Sequence, residues 1–68
     1  MELSARNQLN GTVVDVTKGQ TTSHVRIDLG GPRLMASITN EVVDELKLIK
    51  GMSVYAIIKA SDVMVGID

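Results

Sequence analysis

The chain must build its core without a single cysteine, phenylalanine or tryptophan in 68 residues. No disulfide can staple it and no thiolate zinc site can form. A domain this short buries a smaller fraction of its surface than a large one, and small scaffolds lean on disulfides, a structural metal or oligomerisation. His24 is the only histidine and cannot hold a metal alone, so oligomerisation is the route left open. Hydrophobic residues make up 44% of the chain and Tyr55 is the sole aromatic. The core is therefore Val, Ile, Leu, Met and Ala, thin for a monomer, and part of the apolar surface is expected between subunits.

Period-two alternation dominates the pattern. From Ser23 to Leu29 it places Val25, Ile27 and Leu29 on one face of a half-buried strand. Gly30-Gly31-Pro32 reverses the chain, and Leu34, Ala36 and Ile38 alternate on the return, which reads as a hairpin. Upstream, Leu9 to Val16 is another strand, ending at the turn Thr17-Lys18-Gly19-Gln20. Downstream, Met52 to Ala60 carries Val54, Ala56 and Ile58 on one face and Tyr55, Ile57 and Lys59 on the other, a pattern that suits cover on both sides. Val63, Val65 and Ile67 make a short final strand.

One segment has helical spacing. Thr39 or Asn40 can cap it, Glu41 sits in its first turn, Val42, Val43 and Leu46 share a face, and Lys47 suits the dipole at its end. Five strands with one short helix between strands 3 and 4 is the order of an OB-fold barrel, which also removes exposed sheet edges. The expected fold is mainly β, a single OB-fold five-stranded barrel in one domain spanning residues 1–68.

Nothing in the sequence looks catalytic. A nucleophile needs a base within reach, and His24 lies in a strand with no triad partner. Asp15, Asp28, Asp44, Glu45 and Asp62 are scattered over turns and polar faces, where solvated carboxylates are the norm. Two segments instead concentrate hydrogen-bond donors without acids. Ser4-Ala5-Arg6-Asn7-Gln8 offers a hydroxyl, a guanidinium and two amides, and Lys59-Ala60-Ser61 brings an ammonium and a hydroxyl to a break between strands. A tetrahedral dianion that carries no proton at neutral pH asks for donors only. From spacing alone the same residues read more readily as solvated cations and ordinary turn formers, by about two to one.

At these two segments the chain resembles the molbindin family, also called Mop domains. The opening motif stands as Ser4-Ala5-Arg6-Asn7-Gln8-Leu9, with Gly11 and Val13-Val14 after it. The closing motif stands as Ala56-Ile57-Ile58-Lys59-Ala60-Ser61-Asp62-Val63-Met64. The helix segment, Ser37-Ile38-Thr39 through Leu46, and Gly51 agree as well. The resemblance implies an OB-fold module that binds molybdate and tungstate, with no covalent cofactor and no side chain coordinating the metal directly. It implies a homohexamer, a trimer of dimers, with oxyanions held at subunit interfaces, and a role in storing or buffering molybdate in the cytoplasm. By the same resemblance Ser4, Ala5, Arg6 and Asn7 of one subunit contact the ion, Ala5 through its backbone. Lys59, Ala60 and Ser61 of a neighbour complete the shell, and Lys18-Gly19-Gln20 is a candidate second site near a threefold axis. The chain departs from the family pattern at Asn10, where many relatives have lysine, and at Gly30-Gly31-Pro32-Arg33, which puts proline in the hairpin turn.

Two rivals are a nucleic-acid-binding OB domain and a purely structural oligomerisation module. The first needs stacking aromatics in a basic groove, against one tyrosine and a net charge of −1. No stretch approaches the roughly 20 apolar residues that span a bilayer. The N-terminus has no apolar run of a secretory signal, so the expected location is the cytoplasm.

Overall fold

The computed structural model describes residues 6–68. They run as β1 (Arg6–Lys18), β2 (Thr22–Asp28), β3 (Arg33–Thr39), α1 (Asn40–Leu46), β4 (Ser53–Lys59) and a 3-10 turn over Ala60–Asp62. The strands form one antiparallel sheet in the order β3-β2-β1-β4. Strand β1 serves two partners, pairing with β4 from Arg6 to Thr12 and with β2 from Thr12 to Lys18. The register slips between Val13 and Asp15, so Val14 is a bulge. An extra residue there bends the strand and raises its twist, and the sheet curls into an open half-barrel.

The concave face holds the core of Val13, Val25, Ile27, Val43 and Ala56, with Val16, Leu29, Leu34, Ala36, Ile38, Leu48 and Val54 packed around it. Alternation predicts this face in β2 and β3, where Val25 faces Ala36 and Ile27 faces Leu34 across the ladder. In β4 it predicts apolar cover on both sides, and that is corrected: Ala56 is buried and Val54 and Ile58 are half-buried, but Tyr55 and Ile57 are exposed on the convex face. The single layer of sheet has only one covered side.

Helix α1 starts where Thr39 Oγ1 accepts the Val42 N–H at 3.2 Å, and it ends at Lys47, which takes the left-handed conformation with φ of 53°. Its Val43 enters the core. The helix start is tied to the β1–β2 turn by Ser23, which is fully buried and donates to Asn40 Oδ1, while Asn40 Nδ2 donates to the Gly19 carbonyl at 3.0 Å. Between β2 and β3, the Asp28 carboxylate accepts from the N–H groups of Gly30 and Gly31 at 2.9 and 3.0 Å. Those backbone donors, Gly31 first, hold its pKa below the ordinary value, and Arg33 adds to the effect. Both glycines take positive φ there, 93° and 142°.

The expected fifth strand is a second correction. Residues 63–68 belong to no strand, and Val65 and Ile67 are 91% and 94% exposed. Alternation is a local property, whereas a strand also needs a free edge to pair with, and within the chain this segment lies on none. The described residues therefore form four strands rather than a closed five-stranded barrel, and β3 and β4 remain open edges.

One glycine is required by packing rather than by φ. A Cβ on Gly11 would stand 2.5 Å from Ile27 Cγ2 and 2.8 Å from the Asp28 carbonyl oxygen. The oxygen belongs to the paired backbone and cannot step aside. Gly11→Ala is expected to destabilise the chain by about 1–3 kcal/mol, the range for overpacking, read from the midpoint of urea unfolding. An unchanged midpoint would remove Gly11 from the packing argument.

Candidate oxyanion-binding site

The β1–β4 ladder decides which of the candidate residues meet. Its end rung sets Arg6 directly opposite Lys59, followed by Asn7 with Ile58, Gln8 with Ile57, Leu9 with Ala56 and Asn10 with Tyr55. Residues opposite each other in an antiparallel pair project to the same face, and successive residues alternate. Arg6 and Lys59 thus share the convex face, beside the rung of Gln8 and Ile57. Asn7 falls with Ile58 on the concave side, where its amide donates to the Ile58 carbonyl at 3.5 Å.

Two expectations change. The opening and closing segments were expected to meet only across a subunit boundary, yet one chain already brings Arg6 and Lys59 together. Conversely, Arg6 and Asn7 are adjacent in sequence but project to opposite faces, so their side chains in one chain do not converge. Ala60 and Ser61 follow Lys59 in the exposed 3-10 turn. Ser4 and Ala5 lie outside the described residues.

Among the described residues no carboxylate forms an ion pair with Arg6 or Lys59, and Asp62, three positions beyond Lys59, is no exception. Three other cations have acidic neighbours: Lys18 pairs with Asp44, Arg26 stands 3.9 Å from Asp15, and Arg33 acts on Asp28, while Lys47 and Lys50 have no ion pair among the described residues. Lys18, Gly19 and Gln20 are exposed at the β1–β2 turn. There the Lys18 ammonium has Asp44, the Gly19 N–H donates to the Thr22 carbonyl at 2.7 Å and the Gly19 carbonyl takes Asn40. This turn is already satisfied, in contrast to the Arg6–Lys59 rung.

Asn10 lies on the convex face four rungs from Arg6, and its Oδ1 accepts from Ser53 Oγ at 3.4 Å. No group of three or more His, Asp or Glu side chains that could hold a bare metal ion occurs among the described residues. The arrangement can bind an anion through donors and positive charge.

The TOBE domain family matches residues 3–65. The chain belongs to the TOBE domain family. Its place among the molbindins follows from the relatives. It is 46% identical over 69 residues, along the whole of both chains, to a probable molybdenum-pterin-binding protein of Haemophilus influenzae. Its fold matches a molybdate-binding protein from Sporomusa ovata with a TM-score of 0.91 and 37% identity, over 96% of this chain and 97% of that one. It also matches the cytoplasmic molybdate-binding protein ModG, in a form with molybdate bound, with a TM-score of 0.92 and 40% identity. That match takes in all of this chain and 49% of ModG.

The convex-face rung is the element sequence reasoning missed. Both residues stood out as donors, but alternation leaves open which strand lies beside which, and so whether two distant cations become neighbours. No helix among the described residues is long and apolar enough to cross a membrane.

Proposed function

We propose that this TOBE domain binds molybdate or tungstate as the intact dianion and holds it in reserve in the cytoplasm, catalysing no reaction. The observation that carries the reading is the Arg6–Lys59 rung, two cations side by side with no acid of the described residues paired to either. A donor-only site prefers a fully deprotonated oxyanion, because a proton on the ligand would need an acceptor. The binding of molybdate named for the Sporomusa ovata protein and ModG supports the choice of ion.

The working unit in this reading is a homo-oligomer, a hexamer built as a trimer of dimers. Each shell draws on Ser4, Ala5, Arg6 and Asn7 and on Lys59, Ala60 and Ser61: Arg6 and Lys59 of one copy share a rung, a neighbouring copy completes the shell, and Lys18, Gly19 and Gln20 are the candidate second site near a threefold axis. The open edges of β3 and β4 flank an apolar trough lined by Leu34, Leu48, Val54 and others. Residues 63–67 of a second copy are a suitable fifth strand for it, since their apolar side chains are unplaced in their own chain. That closure would give the OB barrel.

Calorimetry tests the ion. A ligand at a hundred times its Kd stabilises the native state by about 2.7 kcal/mol, which for a chain this size moves Tm by roughly 10–20 °C. Molybdate and tungstate are expected to produce that shift and sulfate, the smaller dianion, much less. A melting curve unmoved by both metalates would overturn the proposal.

A further inference from the structure

Two cations close the end of the β1–β4 ladder. Arg6 and Lys59 form its end rung, and β4 is an edge strand, so among the described residues this end of β4 is paired only with β1. Like charges directly opposite in an antiparallel pair oppose the pairing. Their neighbours on the same face, Gln8 and Ile57, bring no negative charge, and no carboxylate of the described residues pairs with either cation. A bridging dianion reverses the sign of the interaction, from two cations repelling each other to two cations held by one ligand.

We propose that the Arg6–Lys59 rung is an anion-dependent clasp: unliganded, it weakens the end of the β1–β4 ladder, and a bound dianion locks it. This rests on the oxyanion reading above and adds a regulatory consequence to it. The order of the ladder end, and of the turn at Ala60–Asp62 that follows it, reports occupancy of the site. The coupling is reciprocal, so whatever firms this end of the sheet also tightens the anion.

The test begins without any metalate, so that its failure is separable from a failure of metalate binding. In 10 mM salt the full chain with Arg6→Gln, and separately with Lys59→Gln, is expected to melt roughly 1–8 °C above the wild type, the shift that relief of one opposed like-charge pair gives in a domain this small. Raising the salt should lift the wild type towards the variants as the repulsion is screened. Lys18→Gln, which removes a cation that has a partner in Asp44, should show no such gain. With saturating tungstate the order should invert, the wild type melting above both variants. In hydrogen exchange the Gln8 and Ile57 amides should be more protected with tungstate than without. Unchanged or lower melting of both glutamine variants at low salt would overturn the clasp. Gains in both variants with no tungstate effect on the wild type would keep the repulsion but refute the locking by a metalate dianion.

Discussion

Lys59→Ala is expected to weaken metalate binding by roughly tenfold to a hundredfold in isothermal titration calorimetry, with the fold intact. A hydrogen bond to a charged group contributes about 1.5–3 kcal/mol, and each 1.4 kcal/mol is about a factor of ten. Arg6→Ala should cost a similar amount. Since the two residues stand on one rung, the double variant should lose less than the sum of the two, as for side chains that share a partner. Neither residue belongs to the core, and both are exposed. The fold therefore has no reason to weaken with the affinity, and on the repulsion argument it gains. A Lys59→Ala protein with wild-type affinity would remove Lys59 from the site.

This pairing of lost affinity with retained stability separates a binding residue from a structural one. Truncating a side chain such as Val13, 1% exposed in the core, should reduce affinity only to the extent that it unfolds the chain. Truncating Lys59 lowers the affinity without lowering the stability.

Much of the architecture was legible because it is encoded at short range. Alternation marks β2 and β3 almost to the residue, and the Thr39 cap with valines at helical spacing marks α1. The Gly30-Gly31 reversal is visible because L side chains rarely take positive φ. What was not legible depends on pairing. The bulge at Val14 sits inside a run of β-branched residues with no local mark. Arg6 extends β1 beyond the apolar run because β4 offers it an edge, a fact no window around Arg6 contains. The candidate site shares this division: the donors could be picked out by residue type, but the Arg6–Lys59 juxtaposition is a matter of register between residues 53 positions apart. Val63, Val65 and Ile67 have the right alternation but pair with neither open edge of their own chain, so a correct local pattern predicted a strand that the chain alone does not form.

That unplaced segment carries the largest expected effect on assembly. The doubly substituted Val65→Asp, Ile67→Asp chain is expected to sediment as a monomer of 7.3 kDa, and the wild type, on the proposed reading, as an oligomer. Full burial of an aliphatic side chain stabilises by about 1.5–3 kcal/mol, and these two are 91% and 94% exposed in the single chain. Their joint transfer into the trough of a second copy is then worth on the order of 3–6 kcal/mol by the same scale, and a buried, unpaired carboxylate would turn that gain into a penalty. The monomer should also bind metalate at least roughly tenfold more weakly, the loss of one good hydrogen bond to a charged group, because Arg6 and Asn7 project to opposite faces and one chain offers only part of a shell. Lys59→Ala is the reverse case, losing the ligand and keeping the oligomer. A double-aspartate variant that remains oligomeric would refute the exchange of residues 63–67. A monomeric variant with undiminished affinity would assign the whole site to the Arg6–Lys59 rung of a single chain.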